Sequence, residues 1–233
     1  NGKALHEDNS GYDDQNQYAK RGPRLANTIV YEGSRLKSGS TDDHYIYTYL
    51  GTGATQDALY DGTPTGYYFR KACHREAAAK YFIMPPQPIQ IFRYAEVLLN
   101  YAEARNEYSG PSDEVYKALT AIREVAGIEP GDDELYGLKK DMNQDEMRVA
   151  IQNERRVEFA IEGHRFFDVR RWKIADKTDN KMMNGMEIRL NGDKKTYKEF
   201  GVRPHVFREA MYLFPIPDKE VSKSPDLIQN PYY

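Results

Sequence analysis

Carboxylates are concentrated in residues 153–172, which read N-E-R-R-V-E-F-A-I-E-G-H-R-F-F-D-V-R-R-W. Glu154, Glu158, Glu162 and Asp168 could supply a glycoside hydrolase, which places two carboxyl groups beside the bond it cleaves. The same stretch carries arginines at 155, 156, 165, 170 and 171, within helical reach of those carboxylates. Ion pairing with arginine lowers a carboxyl pKa and keeps the group ionised. We therefore predict an ion-pair framework, with glycoside hydrolysis as the alternative.

The aromatic residues of this stretch favour the same interpretation. Buried between helices, each large side chain would contribute about 1.5–3 kcal/mol. The aromatic residues concerned are Phe159, Phe166, Phe167 and Trp172. His164 lies one helical turn before Asp168, and we expect the two to hydrogen-bond. Arg156 and Phe166 are therefore expected to affect stability more than ligand binding.

Elsewhere, each signature of catalysis or cofactor binding is incomplete. Gly51-Thr52-Gly53 lacks the third glycine and the helix of a dinucleotide fingerprint. Cys73 is the one cysteine, which excludes a disulfide and a cysteine-based metal site. The histidines form no zinc-protease pair, since they stand at 6, 44, 74, 164 and 205. An EF-hand aligned on Gly11 would place His6 and Gln17 at ligand positions, so that motif fails. We predict no cofactor and no metal; a structural calcium ion in an irregular loop is compatible with the sequence but not predicted.

Charge and hydropathy restrict the partners. The chain has 33 basic and 36 acidic residues and a formal net charge of -3, which does not favour nucleic acid or an anionic membrane. No apolar run approaches the ~18 residues of a transmembrane helix. The chain begins at Asn1 without a charged-then-apolar segment, and we interpret it as a processed or truncated product.

Tyrosine is unusually frequent, with 19 Tyr against 9 Phe and 1 Trp. Tyrosine combines an apolar ring with a polar tip, which suits partly exposed contact surfaces. In Y-I-Y-T-Y-L (45–50), an extended chain would place Tyr45, Tyr47 and Tyr49 on one face. That face is either a stacking surface for a ligand or the packed face of a strand, and the pattern leaves both interpretations open.

Periodicity divides the chain into three parts of one domain. Residues 1–88 are rich in Gly, Pro, Asn and Asp and predict loops. Short strands are predicted at Asn27–Tyr31, Tyr45–Leu50 and Tyr67–Arg70. Residues 89–172 have helical periodicity, and residues 173–233 predict a hairpin around Asn191-Gly192 and an extended tail.

The helical part is predicted to contain four helices. They are Ile89–Tyr108, Glu114–Ala126, one starting near Asn143 with a capping box to Glu146, and His164–Trp172 after a break at Glu162-Gly163. Tyr94, Leu98, Tyr101 and Ala102 form part of a broad apolar face, which predicts that the first helix is buried on most sides.

Five segments in order carry a family resemblance. They are R-G-P-R-L-A-N-T-I (21–29), T-G-Y-Y-F-R-K (65–71), I-F-R-Y-A-E-V-L-L-N-Y-A-E-A-R-N-E (91–107), the stretch 153–172, and Y-L-F-P-I-P-D-K-E-V-S-K-S-P-D-L-I-Q-N-P-Y-Y (212–233). Together they closely resemble the C-terminal half of the SusD/RagB family. Members usually have Asp where Gly22 stands here.

The resemblance implies a mainly α fold, a helical scaffold of tetratricopeptide-like helix pairs with long irregular loops and a few short strands or hairpins. It implies no catalysis. It implies a nutrient-capturing lipoprotein on the outer face of the outer membrane of Bacteroidetes-type bacteria, which binds glycans or sometimes other nutrients. Its expected partners are a SusC-like TonB-dependent transporter and a missing, lipid-anchored N-terminal half of the same protein. A scaffold that binds only protein is a further alternative.

Aromatic rings on loops suit glycan binding, because sugars present flat C–H faces to them. The predicted ligand contacts are Tyr45, Tyr47, Tyr49, Tyr60, Tyr67 and Tyr68. The predicted framework residues are Arg93, Glu96, Glu103, Glu154, Arg155, Arg156, Glu158, His164, Arg165, Phe166, Asp168 and Trp172.

Overall fold

A computed structural model describes residues 2, 7, 10–38, 42–71, 73 and 90–233, with the backbone alone for 37, 38 and 42–44. The predicted helix start at Ile89, the prolines before it, His6 and His74 lie outside the described residues. Helices dominate the described part of the chain, and the strands are few, so the mainly α prediction is confirmed.

The core is formed by three helices. They are α2 (Tyr94–Ser109), α3 (Asp113–Val125) and α4 (Gln144–Glu158), and α2 packs against both others. Asn143 and Glu146 form the predicted capping box at the start of α4. The fully buried side chains between these helices are Leu99, Ala102, Val115, Leu119, Met147 and Ile151. Their burial supplies the main hydrophobic contribution to the free energy of folding.

The first long helix departs from its prediction at its start and at its outer face. It begins at Tyr94 because Arg93 is extended (φ -144°, ψ 157°) while its guanidinium bonds Glu158 and Glu162. Tyr94 and Tyr101 are 71% and 46% exposed, so the predicted burial on most sides is wrong within the described residues. Among the described residues, α3 and α4 pack against one side of α2, and Tyr94 and Tyr101 are exposed on its other side.

The chain then turns sharply after α4. Ile161 (φ 68°) and Gly163 (φ 84°) take left-handed backbone conformations, which glycine favours. This is the predicted break, and it separates α4 from α5 (His164–Arg171), which leads to the short α6 (Ala175–Thr178). Ile161 is 42% exposed because it lies in this turn rather than on the helix.

The strands of the described residues form three separate antiparallel pairs. They are β1 (Ile29–Val30) with β4 (Tyr68–Phe69), β2 (Ser34–Ser38) with β3 (Asp42–Ile46), and β5 (Lys181–Asn191) with β6 (Lys194–His205). The last pair is the hairpin predicted from Asn191-Gly192, with Gly192 at φ 61°. The strand predicted at Asn27–Tyr31 is confirmed at Ile29–Val30, which form β1, whereas Asn27 and Thr28 belong to α1 (Pro23–Thr28). Pro23 suits the first position of that helix.

The C-terminal part is less regular. A 3-10 helix (Glu209–Tyr212) packs near α5 and α6 and is followed by an irregular segment and by α7 (Asp218–Lys223). Gln229 donates to the carbonyl of Ile216 at 2.8 Å and accepts from its amide, which fixes the tail against that segment. No helix in the described part of the chain has the length and apolar character needed to cross a bilayer.

Candidate binding surface

Three tyrosines predicted to share a face do lie side by side, and we call Tyr45, Tyr47 and Tyr49 the tyrosine row. The ring centroids of Tyr45 and Tyr47 are 6.4 Å apart with planes 19° from parallel, and those of Tyr47 and Tyr49 are 5.9 Å apart at 61°. Tyr45 and Tyr47 are 44% and 37% exposed, and Tyr49 is half-buried. The row is therefore a continuous aromatic surface open to solvent.

The row is not a strand along its whole length, as Tyr45–Leu50 was predicted to be. β3 ends at Ile46, and the next residues bond to side chains and loops instead. Thr55 Oγ1 donates to the Tyr47 carbonyl at 3.1 Å, and the Tyr49 hydroxyl donates to the Gly53 carbonyl at 3.0 Å. These contacts fix the rings without a partner strand.

A buried carboxylate explains why the strand stops. Glu32 Oε2 accepts hydrogen bonds from the amides of Thr48 at 2.6 Å and Tyr49 at 3.2 Å, which a partner strand would otherwise take. Its Oε1 pairs with Lys195 Nζ at 2.8 Å. Backbone bonds of Leu50 with Ile188 and with Leu190 add a short parallel bridge to β5. The tyrosine row is thus attached to the β5–β6 hairpin.

Tyr67 and Tyr68, also predicted to contact ligand, lie apart from the row in packed positions. Tyr18 stacks on Tyr31 with centroids 4.3 Å apart, and its hydroxyl donates to that of Tyr67 at 3.1 Å. Burial, and then the hydrogen bond with Tyr67, raises the pKa of Tyr18 well above its usual value. Tyr68 donates to the Asp57 carbonyl at 3.0 Å. A ligand role for Tyr67 and Tyr68 stays a prediction.

Tyr60 is a separate exposed ring. It is 62% exposed, lies 6.0 Å from the ring of Phe200 on the hairpin, and has φ 73°. Tyrosine is rarely found in this left-handed region. A hydrogen bond from the Tyr60 amide to the Thr63 carbonyl at 2.9 Å helps to hold it there.

The carboxylates of 153–172 are fully engaged in ion pairs. We call Arg24, Lys71, Arg93, Arg123, Glu154, Glu158 and Glu162 the charged framework. In it Glu154 pairs with Arg24 and Arg123 at 2.7 and 2.8 Å. Glu158 pairs with Arg24 and with Arg93 at 2.8 and 2.6 Å. These partners come from α1, from the segment before α2 and from α3, so the predicted partners within the stretch were wrong for these glutamates.

The framework keeps its glutamates ionised. Burial tends to raise the pKa of Glu158, but hydrogen bonds from Arg93 and Arg24 outweigh burial and lower it. For Glu162, burial is likewise outweighed by hydrogen bonds from Arg93 and Lys71, so its pKa is also lowered. A general acid needs a raised carboxyl pKa. Neither glutamate is therefore suited to act as the acid of a hydrolase.

A second set of ion pairs joins α5 to α2 and α4. Arg155 bonds both oxygens of Asp168 at 3.1 and 3.2 Å and Asn100 at 2.7 Å. Glu103 accepts from Trp172 Nε1 at 2.8 Å and from Arg171. Burial raises the pKa of Glu103, but the bonds from Arg171 and Trp172 outweigh burial and lower it. Here the predicted arginine–carboxylate pairing does occur within 153–172.

Several predicted framework residues have smaller roles. Arg156 is exposed, and its guanidinium bonds Asn153 of its own helix at 2.9 Å rather than one of the predicted carboxylates. Burial lowers the pKa of the half-buried Arg165. Phe166 is 41% exposed, with Arg170 3.5 Å from its ring centroid. Phe167, at 66% exposure, is also not buried between helices.

The predicted hydrogen bond between His164 and Asp168 is absent. The ring of His164 stacks on Phe159 with centroids 4.3 Å apart, and its Nε2 lies 3.9 Å from a carboxylate oxygen of Glu96. Asp168 instead forms ion pairs with Arg155 and Arg171, because a guanidinium is charged and has several N–H donors.

A shallow cavity of about 260 Å³ also lies on the helical part, lined by Glu103, Glu107, Arg148, Ile151, Gln152 and Trp172. Its carboxylates are paired, Glu107 with Arg148 at 2.6 Å and Glu103 with Arg171. The structure thus offers no free acid and base in this cavity. Among the described residues, no group of three His, Cys, Asp or Glu side chains could hold a metal ion.

Sequence reasoning missed four residues that organise these sites. Glu32 and Lys195 hold the tyrosine row, while Arg24 and Arg123 pair with Glu154. Arg24 lies in the landmark 21–29, which marked it as a position of interest. Glu32 and Lys195 are 163 positions apart, and no local pattern connects them.

A profile of the SusD family matches residues 1–233. SusD-like protein P2 of Formosa agariphila is 32% identical over 156 residues, which are 67% of this chain and 26% of P2. SusD-like protein P25 of the same organism is 30% identical over 140 residues, which are 60% of this chain and 23% of P25. The chain therefore spans about a quarter of the length of these curated relatives.

Solved structures give the same result for the fold. A SusD-like protein from Bacteroides fragilis has a TM-score of 0.76 at 30% identity, over 93% of this chain and 40% of that one. A SusD homolog from Bacteroides thetaiotaomicron has a TM-score of 0.58 at 24% identity, over 91% of this chain and 41% of that one. At that lower identity, the second likeness concerns the fold alone.

Proposed function

The chain belongs to the SusD/RagB family, and we propose that it captures a glycan at the cell surface and delivers it to a TonB-dependent transporter of the SusC type. The whole protein would be an outward-facing lipoprotein of the outer membrane, with its lipid on a segment outside these residues. The proposed role is binding without catalysis. It does not involve nucleic acid, a cofactor or a metal.

The tyrosine row is the observation that carries the glycan proposal. Sugar rings present C–H faces that pack on aromatic rings, and their hydroxyls need polar groups nearby. Tyr45 and Tyr47 present nearly parallel, partly exposed rings. The loop beside them supplies hydroxyls and backbone groups from Gly51 to Thr55. A row of rings suits successive units of an extended saccharide better than it suits a compact metabolite.

The charges of the helical part favour a structural role for its carboxylates over a catalytic role. The carboxylates of residues 153–172 are ion-paired, and the pKa values of Glu103, Glu158 and Glu162 are lowered. These groups are therefore permanently charged at neutral pH and committed to holding helices together. No observation favours a glycoside hydrolase over a binding protein.

The exposed face of α2 suggests where protein partners would contact the chain. Tyr94, Tyr101 and Tyr108 are 71%, 46% and 87% exposed on this helix. The chain spans about two-fifths of its solved relatives, so a large part of a full-length member lies outside it. We assign this face to the remaining part of the protein or to the transporter.

Affinity electrophoresis tests the glycan proposal. Gels containing amylopectin, xylan, laminarin, alginate or pectin would be compared for the wild type and for Tyr47→Ala. We expect one of these polysaccharides to retard the wild type and to retard the variant less. Tyr108→Ala is the matched control, because it removes an exposed tyrosine from α2 instead of the row.

Two results would count against the proposal. Binding that is identical in Tyr47→Ala and the wild type would place the site elsewhere. Release of reducing sugar from the bound polysaccharide, abolished by a single Asp or Glu substitution, would make the chain a glycoside hydrolase.

A further inference from the structure

Glu32 is a buried carboxylate whose position is not explained by packing alone. The residue is 5% exposed and lies between the tyrosine row and the β5–β6 hairpin. A buried charge is costly unless it is paired and hydrogen-bonded. A cluster of charges, such as the charged framework, could share that cost among many partners. Within the part of the chain that the structure describes, Glu32 instead has one ion pair, with Lys195, and a small set of backbone donors.

The two oxygens of Glu32 face different elements. Oε2 accepts the amides of Thr48 and Tyr49, with Thr48 Oγ1 at 3.5 Å. Oε1 accepts from Lys195 Nζ at 2.8 Å. The amides belong to the backbone that separates the ring of Tyr47 from the ring of Tyr49. The carboxylate therefore holds the part of the chain that sets the angle between these two rings.

The ion pair of Glu32 with Lys195 lies beside a second contact with the hairpin, the backbone bond between Leu190 and Leu50. Lys195 stands opposite Leu190 in the register of β5 and β6, and Leu190 donates its amide to the Leu50 carbonyl at 3.3 Å. Leu50 directly follows the tyrosine row, so the ion pair and the backbone bridge hold adjacent residues to the same end of the hairpin. Both connections must break before the row can move away from the hairpin.

We propose that Glu32 and Lys195 are positioning residues for the tyrosine row: Glu32 fixes its backbone, and Lys195 fixes Glu32 to the hairpin. Neither side chain needs to touch the glycan. We call the contacts of Glu32 with Thr48, Tyr49 and Lys195 the clamp. That its loss weakens glycan binding rests on the proposed function, whereas the clamp itself is measurable without ligand. If the pair were merely a buried ion pair, its loss would lower stability without altering the row.

Glu32→Gln changes the side-chain volume little but prevents residue 32 from bonding the amides of Thr48 and Tyr49 and Lys195 at the same time. Glutamine has a single acceptor oxygen, and its amide nitrogen donates. It cannot accept from the amides of Thr48 and Tyr49 while also pairing with Lys195. Lys195→Met removes only the hairpin connection and serves as the second variant if Glu32→Gln folds poorly. Lys194→Met and Glu103→Gln are the controls, an exposed lysine beside Lys195 and an ion-paired glutamate on α2.

Amide hydrogen exchange measures the clamp without ligand. In Glu32→Gln, we expect the amides of Thr48 and Tyr49 to exchange about tenfold faster, while the amides of α3 keep their protection, because the opening is local. Both controls should leave these two amides unchanged. Unchanged protection in Glu32→Gln and in Lys195→Met would overturn the proposal.

Affinity electrophoresis then measures the consequence, with whichever of the named polysaccharides retards the wild type. Each clamp variant should weaken binding about tenfold, the change expected from about 1.4 kcal/mol. In a Tyr47→Ala background, Glu32→Gln should add little further loss, because two residues acting on one feature are not additive. Fully additive losses would contradict a positioning role. If the wild type binds none of the polysaccharides, the proposed function fails, and exchange at Thr48 and Tyr49 still decides whether the clamp exists.

Discussion

The charged framework and the tyrosine row use buried carboxylates in opposite ways. In the framework, Glu154, Glu158 and Glu162 pair with arginines and a lysine from distant segments, so side chain holds side chain. Beside the row, Glu32 accepts hydrogen bonds from the backbone amides of Thr48 and Tyr49 and pairs with Lys195. The comparison teaches that charged residues are densest where side-chain ion pairs join helices. The backbone of the exposed tyrosine row is held by a carboxylate outside that cluster.

The same contrast applies to aromatic rings. Phe159 is buried between the helices, where the guanidinium carbons of Arg93 and Arg155 lie 4.6 and 5.2 Å from its ring centroid. Tyr45 and Tyr47 contact one another and solvent. The buried ring of Phe159 therefore contributes to stability, whereas the exposed rings of Tyr45 and Tyr47 are accessible from solvent.

The largest expected effect would test the stabilising half of this comparison. Glu154→Ala leaves Arg123 buried without its 2.8 Å partner, and it leaves Arg24 with Glu158 in place of two carboxylates. Breaking a buried ion pair in this way should lower the free energy of unfolding by about 3–5 kcal/mol. Urea denaturation measures the loss. Polysaccharide affinity at a temperature where the variant is folded should be unchanged, and a tenfold loss of affinity there would break the comparison.

Acid should weaken the charged framework. The folded-state pKa values of Glu158 and Glu162 lie below their unfolded values, so their contribution is present above the unfolded pKa. It is lost as pH falls through the folded-state pKa. Denaturation followed between pH 6 and pH 2, at about one-unit steps, should therefore show stability falling at the acid end.

Arg93→Met is the matched variant for that experiment. It removes the guanidinium that bonds both Glu158 and Glu162, so their folded-state pKa values should move toward ordinary ones. The variant should be less stable near neutral pH and should lose less stability on acidification. An acid dependence equal to that of the wild type would mean that other carboxylates control it.

A smaller effect is expected at the row. Tyr47→Ala removes the central ring, which contacts both Tyr45 and Tyr49. Affinity for the bound polysaccharide should fall about tenfold, or about 1.4 kcal/mol. The melting temperature should change little, because Tyr47 is 37% exposed. A loss of stability comparable to that of Glu154→Ala would place the row in the core and remove the distinction between the two regions.

The smallest effect is expected at Arg156. Its side chain is exposed and bonds Asn153 one turn earlier, so Arg156→Ala should change the free energy of unfolding by less than about 0.5 kcal/mol. Arg155→Ala is the matched comparison, because Arg155 is 4% exposed and bonds Asp168 and Asn100. Urea denaturation should show a much larger loss for Arg155→Ala, and equal losses would contradict this assignment.

Local patterns predicted the local features of the fold. The capping box of Asn143 and Glu146, the break at Gly163 and the Asn191-Gly192 hairpin all follow from interactions within a few residues. The start of α2 and the end of β3 did not, because each is set by a charged side chain that bonds far along the chain. Arg93, which directly precedes α2, bonds Glu158, and Thr48, which follows β3, donates to Glu32.

The sequence by itself determined the family, the mainly α scaffold and the presence of three tyrosines at alternate positions. It also indicated that the carboxylates of 153–172 are ion-paired, because arginines accompany them. Tertiary structure alone decided which partners they take, and that Tyr45 and Tyr47 are exposed while Tyr67 is packed. The physical reason is that ion pairing and burial depend on segments brought together by folding, and Glu32 and Lys195 meet across 163 positions.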